Sequence, residues 1–201
     1  MLSEIIKQDQ QWSVAINQCA ADWADPVMQF LSHTVVWIPF YVLLIGLILY
    51  AYRKTAWIVL LGVVLLVALS DWTSVHFFKN VFMRFRPSRD PILSEIVRLP
   101  AGRGSLYGFI SSHASNCFAI AAYVTMALKK RFPVFRYGIL FLWAACIAYS
   151  RVYLGRHYLG DIICGCLWGL FLAWGVWKLT RSVLSKVYPS MPPFLYRPPK
   201  K

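Results

Sequence analysis

Five times between residues 35 and 177 the sequence enters an apolar run about as long as a lipid bilayer is thick: 35–52, 56–78, 111–128, 134–150 and 158–177. Inside a bilayer a backbone satisfies its own hydrogen bonds as a helix, so the runs predict an all-α, polytopic transmembrane helical bundle. With 59% hydrophobic and 14% charged residues, a chain of 201 residues carries too few charges for an ordinary soluble domain. Pro39, inside the first run, is tolerated where neighbouring helices satisfy the freed carbonyl. If the piece at 26–34 also inserts, the bundle has six membrane helices rather than five.

Ahead of the runs, residues 4–20 interleave Ile5, Ile6, Trp12, Val14, Ala15 and Ile16 with polar side chains, the pattern of a short interfacial helix. Asp25 before Pro26 predicts an N-cap and first helical position. The chain thus divides into an N-terminal interfacial segment (1–34), a transmembrane domain (35–187) and a Pro-rich basic tail (188–201), the last expected to be disordered near anionic lipid. No cleavable leader is expected in the first 25 residues, which have no basic start and no long apolar stretch. Cys19, Cys117, Cys146, Cys164 and Cys166 contain no CxxC pair and read as unpaired thiols.

The net charge of +13 does not mark a nucleic-acid protein, because its cations sit in short loops between runs. Arg53, Lys54, Lys129, Lys130, Arg131, Arg136, Lys178, Arg181 and Lys186 fall on one side if the runs alternate. By the positive-inside rule that side is cytoplasmic. The opposite side nevertheless carries Lys79, Arg84, Arg86, Arg89, Arg98, Arg103, Arg151 and Arg156. A breach of that size argues that these cations bind an anion.

Three clusters fall on that face: Lys79 with Arg86-Pro87, then Ser111-Ser112-His113, then Ser150-Arg151 with His157 and Asp161. Taken singly, each has a plain explanation: snorkelling cations, a helix cap, a buried polar clasp. Together they make a phosphate site. Lys79, Arg86 and Arg151 suit a tetrahedral dianion, arginine gripping two oxygens at once. Ser111 and Ser112, at a helix start, add hydroxyl and amide donors. His157 and Asp161 are four apart, so a helix opening at 157 would put both on one face. The carboxylate would then orient the imidazole for attack on phosphorus, forming a phosphohistidine. His113 would protonate the leaving oxygen and then activate water. A metal reading fits less well, since the acids do not cluster and side-chain cations already supply the charge. No Gly-x-Ser-x-Gly turn supports a serine hydrolase. Asp71 and His76 have no role in this scheme, and Arg84, Arg89 and Arg156 either widen the anionic field or are solvated.

The order Lys79-x6-Arg86-Pro87, Ser111-Ser112-His113, Ser150-Arg151-x5-His157-x3-Asp161 resembles the three-part signature of the type 2 phosphatidic acid phosphatase family over roughly residues 55–180. The second part departs from the family's Pro-Ser-Gly-His, reading Ile110-Ser111-Ser112-His113. The resemblance implies an integral-membrane enzyme, without metal or other cofactor, acting on lipid phosphates or pyrophosphates. It implies phosphate binding by Lys79, Arg86, Ser111, Ser112 and Arg151, with His157 the nucleophile, His113 the acid/base and Asp161 the orienter. It also makes undecaprenyl pyrophosphate, lipid A phosphate and phosphatidylglycerophosphate the candidate substrates. The short tails suggest a bacterial inner membrane, with the site facing the periplasm. The rival readings are a lipid phosphotransferase using the same intermediate and a non-catalytic lipid or anion transporter. A vanadate-dependent haloperoxidase is a weaker rival, because its relatives are mainly soluble.

Overall fold

The computed structural model describes residues 1–188, so the expected disordered tail lies outside the described residues, save Tyr188 at its start. Among the described residues the chain is helical and has no β-strand. Its helices are α1 (Leu2–Gln18), α2 (Asp25–Ser32), α3 (Ile38–Tyr52), α4 (Ala56–Thr73), the short turn α5 (Asn80–Phe82), α6 (Ser112–Leu128), α7 (Ile139–Tyr153) and α8 (Leu159–Val187).

The helical run Thr34–Phe82, folded back on itself at Arg53–Thr55, and helix Leu159–Val187 are long and apolar enough to cross a bilayer; Ile139–Tyr153 is apolar but shorter. Several ends differ from those the apolar runs predicted. Helix α7 begins at Ile139 rather than 134, because Gly138 takes a left-handed conformation (φ 76°) and separates it from a 3₁₀ turn at Pro133–Tyr137. Helix α8 continues ten residues past 177, to Val187, since no proline or glycine breaks it there.

Helix α6 lies at the centre, against α8, α7, α4 and α3. Small residues permit its closest approach, to α8. A methyl group on Gly169 would lie 2.2 Å from the Ser115 carbonyl oxygen, and one on Gly165 2.7 Å from that of Ser111. Even alanine there would push the two helices apart, at a cost of about 1–3 kcal/mol. Around α6, Leu66, Val124, Leu128, Ala144, Ile147 and Ala173 form the core. The buried Tyr123 hydroxyl lies 3.0 Å from the Val59 carbonyl and 2.9 Å from the Thr180 hydroxyl, joining α4, α6 and α8. The outward faces are equally apolar: Val42, Leu43, Leu61, Val64, Leu142, Leu167, Phe171 and Trp174 are all exposed. Helices apolar all round belong in lipid.

Helix α1 is amphipathic, as expected, and docks across the ends of α7 and α8. The Asn17 amide, 1% exposed, donates to the carbonyls of Tyr153 (2.7 Å) and Arg98 (3.0 Å) and accepts from Arg98 N–H (2.8 Å). Asp25 is not the N-cap of α2 but its first residue. Its carboxylate instead accepts from the Tyr153 hydroxyl (2.8 Å) and from Arg98 (3.1 Å), competing partners that a local capping rule does not see. After Pro87 the 79–110 segment has only 3₁₀ turns, as its prolines and glycines predict.

Candidate phosphate site

The sequence clusters arrive at one end of the bundle because each closes or opens a helix there. Over Ser74–Lys79 helix α4 widens into a π-turn, a local change of winding that sets where Lys79 faces. Its Nζ donates to the Ser112 hydroxyl at 2.6 Å. Ser111, in extended conformation and fully buried, caps α6: its hydroxyl accepts from Ala114 N–H at 3.4 Å, while its own N–H donates to the Asp161 carbonyl at 3.0 Å. His113 follows in the first turn. Arg151 stands in the last turn of α7, with Nη1 donating to the Ser32 hydroxyl. Arg86 comes from the loop after α5. It is nearly buried, donating from Nε to the Tyr107 carbonyl (3.1 Å) and from Nη1 to that of Arg156 (3.4 Å).

His157 and Asp161 do not share a helical face as the spacing suggested. Helix α8 starts only at Leu159, so His157 precedes the N-cap residue Tyr158 and Asp161 lies in the first turn. The carboxylate folds back over the helix start instead. Its Oδ2 accepts from Tyr158 N–H at 3.1 Å and lies 3.4 Å from His157 Nδ1. A reciprocal capping interaction therefore produces the contact that helical periodicity would have produced. Gly108 presses against this pair: a methyl there would meet Asp161 Oδ2 and Arg86 Cγ, both at 3.0 Å.

The electrostatics follow from burial. His157 is 1% exposed, and burial, reinforced by Arg86, Arg151, Lys79 and His113, holds its pKa well below the ordinary histidine range. The imidazole is thus neutral at physiological pH, with a lone pair available. Burial and the neighbouring Arg156 likewise push Arg86 down to about 10. Arg86 remains protonated at neutral pH, but as a cation short of counter-charge. Arg151 is similar: among the described residues its buried Nε has no acceptor.

Three residues outside the predicted set complete the site. Arg84 neither widens the field nor faces solvent. It donates from Nη1 to Asp161 Oδ1 (2.9 Å) and from Nη2 to Asp9 Oδ2 (2.6 Å), with its guanidinium 4.2 Å above the Tyr158 ring. Asp9 Oδ1 accepts from Gly160 N–H at 2.7 Å, and the Ser13 hydroxyl accepts from Leu159 N–H at 2.8 Å. Helix α1 thus caps α8 from outside. Asp9 and Ser13 are four residues apart on the polar side of α1, a spacing also found on any solvated helix, so no sequence signal distinguished them. Arg89 is exposed and donates to the Gly104 carbonyl (3.1 Å), and Arg156 donates to that of Ala101. His76 stacks on Trp72, 4.8 Å between ring centres.

Below the cations a groove of about 610 Å³ runs down the bundle. Lys79, Arg86, Ser112, His113 and Arg151 line its head, and apolar side chains of α3, α4 and α6 line its depth. Ser111, His157 and Asp161 lie behind that head as a buried wall.

The sequence and the fold match a known class. The family model of the PAP2 superfamily matches residues 55–184, and the chain belongs to that superfamily. A lipid A 4'-phosphatase of Bacteroides thetaiotaomicron is 27% identical over 188 residues, 92% of this chain and 82% of that one. A second lipid A 4'-phosphatase, from Porphyromonas gingivalis, is 36% identical over 129 residues, 63% of this chain and about half (52%) of that protein. The crystal structure of a PAP2-type phosphatidylglycerolphosphate phosphatase from Bacillus subtilis shares the fold, with a TM-score of 0.70 at 22% identity, covering 90% of this chain and 88% of that one. This protein is therefore a membrane phosphatase of that superfamily.

Proposed function

We propose that the protein removes a phosphate from a membrane lipid through a phosphohistidine on His157, without a metal, and that lipid A 4'-phosphate is its foremost substrate. One observation carries the reading: three under-neutralised cations, Lys79, Arg86 and Arg151, line the head of an apolar groove, and a neutral, carboxylate-held histidine is buried behind it. The two lipid A 4'-phosphatase relatives favour that substrate over undecaprenyl pyrophosphate and phosphatidylglycerophosphate.

The phosphate dianion docks among the cations and the Ser111 and Ser112 groups. His157 Nε2 attacks phosphorus, while Asp161 keeps the Nδ1–H proton in place. The P–O ester bond breaks, and His113, protonated beside the bound dianion, gives its proton to the leaving oxygen. Water then attacks phosphorus with His113 taking its proton, the N–P bond breaks, and inorganic phosphate leaves. The helices α3, α4 with its π-turn, α6, α7 and α8 form five membrane crossings in this reading. The basic loops face the cytoplasm, and the site opens at the periplasmic face of a bacterial inner membrane.

Phosphate release by purified protein from the three lipids, with EDTA present and beside His157→Ala, tests this. The expected result is EDTA-resistant release, greatest from lipid A and absent in the variant. Equal release by His157→Ala contradicts the nucleophile assignment. Release only when a second lipid or sugar accepts the phosphate indicates a phosphotransferase.

A further inference from the structure

The proposed mechanism leaves one acid in the groove unused. Asp71 lies in the wall formed by α4, eight residues before Lys79. A carboxylate at membrane depth is costly unless it has a partner or a task. Its partner is Asn116 on α6, which donates from Nδ2 to Asp71 Oδ1 at 2.8 Å. That bond leaves acceptors over. Asp71 Oδ2 makes no hydrogen bond among the described residues, and the buried Asn116 Oδ1 has no partner there either.

Their level in the groove is set by the helix repeat. Helices α4 and α6 run in opposite directions, so from Asp71 and Asn116 downward their walls descend in matched four-residue steps. Above that level Lys79 stands eight residues beyond Asp71, and Ser112 four before Asn116. Lys79 and Ser112 form the head, and Asn116 stands one turn below Ser112, facing Asp71. Val67 and Ile120 stand a further turn down, then Val63 and Val124. The groove therefore reads cationic, then acceptor-rich, then apolar.

We infer that Asp71 and Asn116 form a headgroup subsite that accepts hydrogen bonds from hydroxyl or amide N–H groups about one helical turn below the phosphate. This rests on the lipid-phosphatase reading and narrows its substrate class. A phosphorylated glycolipid such as lipid A carries ring hydroxyls and amide N–H groups beside its phosphate before its acyl chains begin. Undecaprenyl pyrophosphate has no donor at the same level, where its inner phosphate and then its isoprenoid chain would meet the carboxylate with charge repulsion or desolvation. The subsite thus selects for donor-bearing lipids as well as binding them.

Full-length protein in detergent, with Asp71→Leu and the near-isosteric Asp71→Asn, tests the subsite by kcat/KM on lipid A, phosphatidylglycerophosphate and undecaprenyl pyrophosphate. In Asp71→Leu the ratio of lipid A to undecaprenyl pyrophosphate should fall about 10- to 100-fold, the scale of a lost hydrogen bond to a charged acceptor. Asp71→Asn, which keeps an acceptor and the fold, should fall less. Inhibition by vanadate should stay within about twofold in both, since the phosphate head is untouched. A uniform loss on all three lipids, or an unchanged ratio, overturns the subsite and makes Asp71 only a counter-charge for Lys79. If wild-type protein releases phosphate from none of these lipids, the phosphatase reading itself fails. The subsite is then judged by binding of dephosphorylated lipid A, where an equal Kd for wild type and Asp71→Leu overturns it.

Discussion

The two walls of the phosphate site are built on opposite principles. Behind the groove, each oxygen of Asp161 already has its donors: Arg84 on Oδ1, and Tyr158 N–H with the His157 ring on Oδ2. The adjoining start of α8 is capped by Asp9 and Ser13. At the groove head the cations are held mostly by neutral groups: Lys79 by a serine hydroxyl, Arg86 by two carbonyls, Arg151 by another serine. The first wall is assembled before substrate arrives; the second is left short of negative charge for the substrate to supply. Fixed geometry around the proposed nucleophile and unmet charge where the proposed anion docks are what a charge-neutralising phosphoryl transfer calls for.

Substitutions in each wall should therefore fail differently. The largest loss is expected for His157→Ala, about 10³-fold or more in kcat, because no covalent intermediate forms. Arg151→Lys should come next. A point charge cannot replace the guanidinium fork, and kcat/KM should fall about 10²-fold with vanadate inhibition weakened in parallel. Asp9→Asn and Arg84→Lys should lower kcat about 10- to 100-fold with vanadate affinity nearly kept, as for residues that position a reacting group through its partner. Equal losses of vanadate affinity in both walls would erase the contrast between them.

A smaller effect concerns acidity. An unfolded histidine titrates at about pH 6.5, whereas burial and the surrounding cations hold native His157 well below that. Between the two values the unfolded chain binds more protons, so this group lowers stability as pH falls below about 6.5 and has no effect above it. His157→Ala should flatten the fall in Tm from pH 6.5 to 5, by roughly 2–4 °C for each kcal/mol removed. The smallest effect is expected for Ser112→Gly. Restoring the family's glycine removes the hydroxyl that holds Lys79, so KM should rise a few-fold with kcat little changed.

The groove head was the more legible wall. Its residues lie in short motifs, and apolar runs on either side brought their helix ends to one face, so Lys79, Arg86, Ser112, His113 and Arg151 could be named together. The buried wall was legible only in part. His157 and Asp161 were readable from their spacing, but the contact between them is a helix cap rather than a helical face. The brace from Asp9 through Arg84 spans most of the chain, and long-range ion pairs leave no periodicity to read. Asp25 went astray for the same reason, because distant Arg98 and Tyr153 outcompeted a local capping rule. Both ends of α6 were readable to within a residue, but Gly138 moved the start of α7 past the expected 134, and nothing marked the far end of α8.

The most direct test of the central claim is a rapid acid-free quench of the enzyme turning over ³²P-labelled lipid, followed by mapping of labelled peptides. The account predicts a base-stable, acid-labile phosphate on the peptide containing His157, absent from His157→Ala. Label on another residue, or undiminished turnover by His157→Ala, would contradict it.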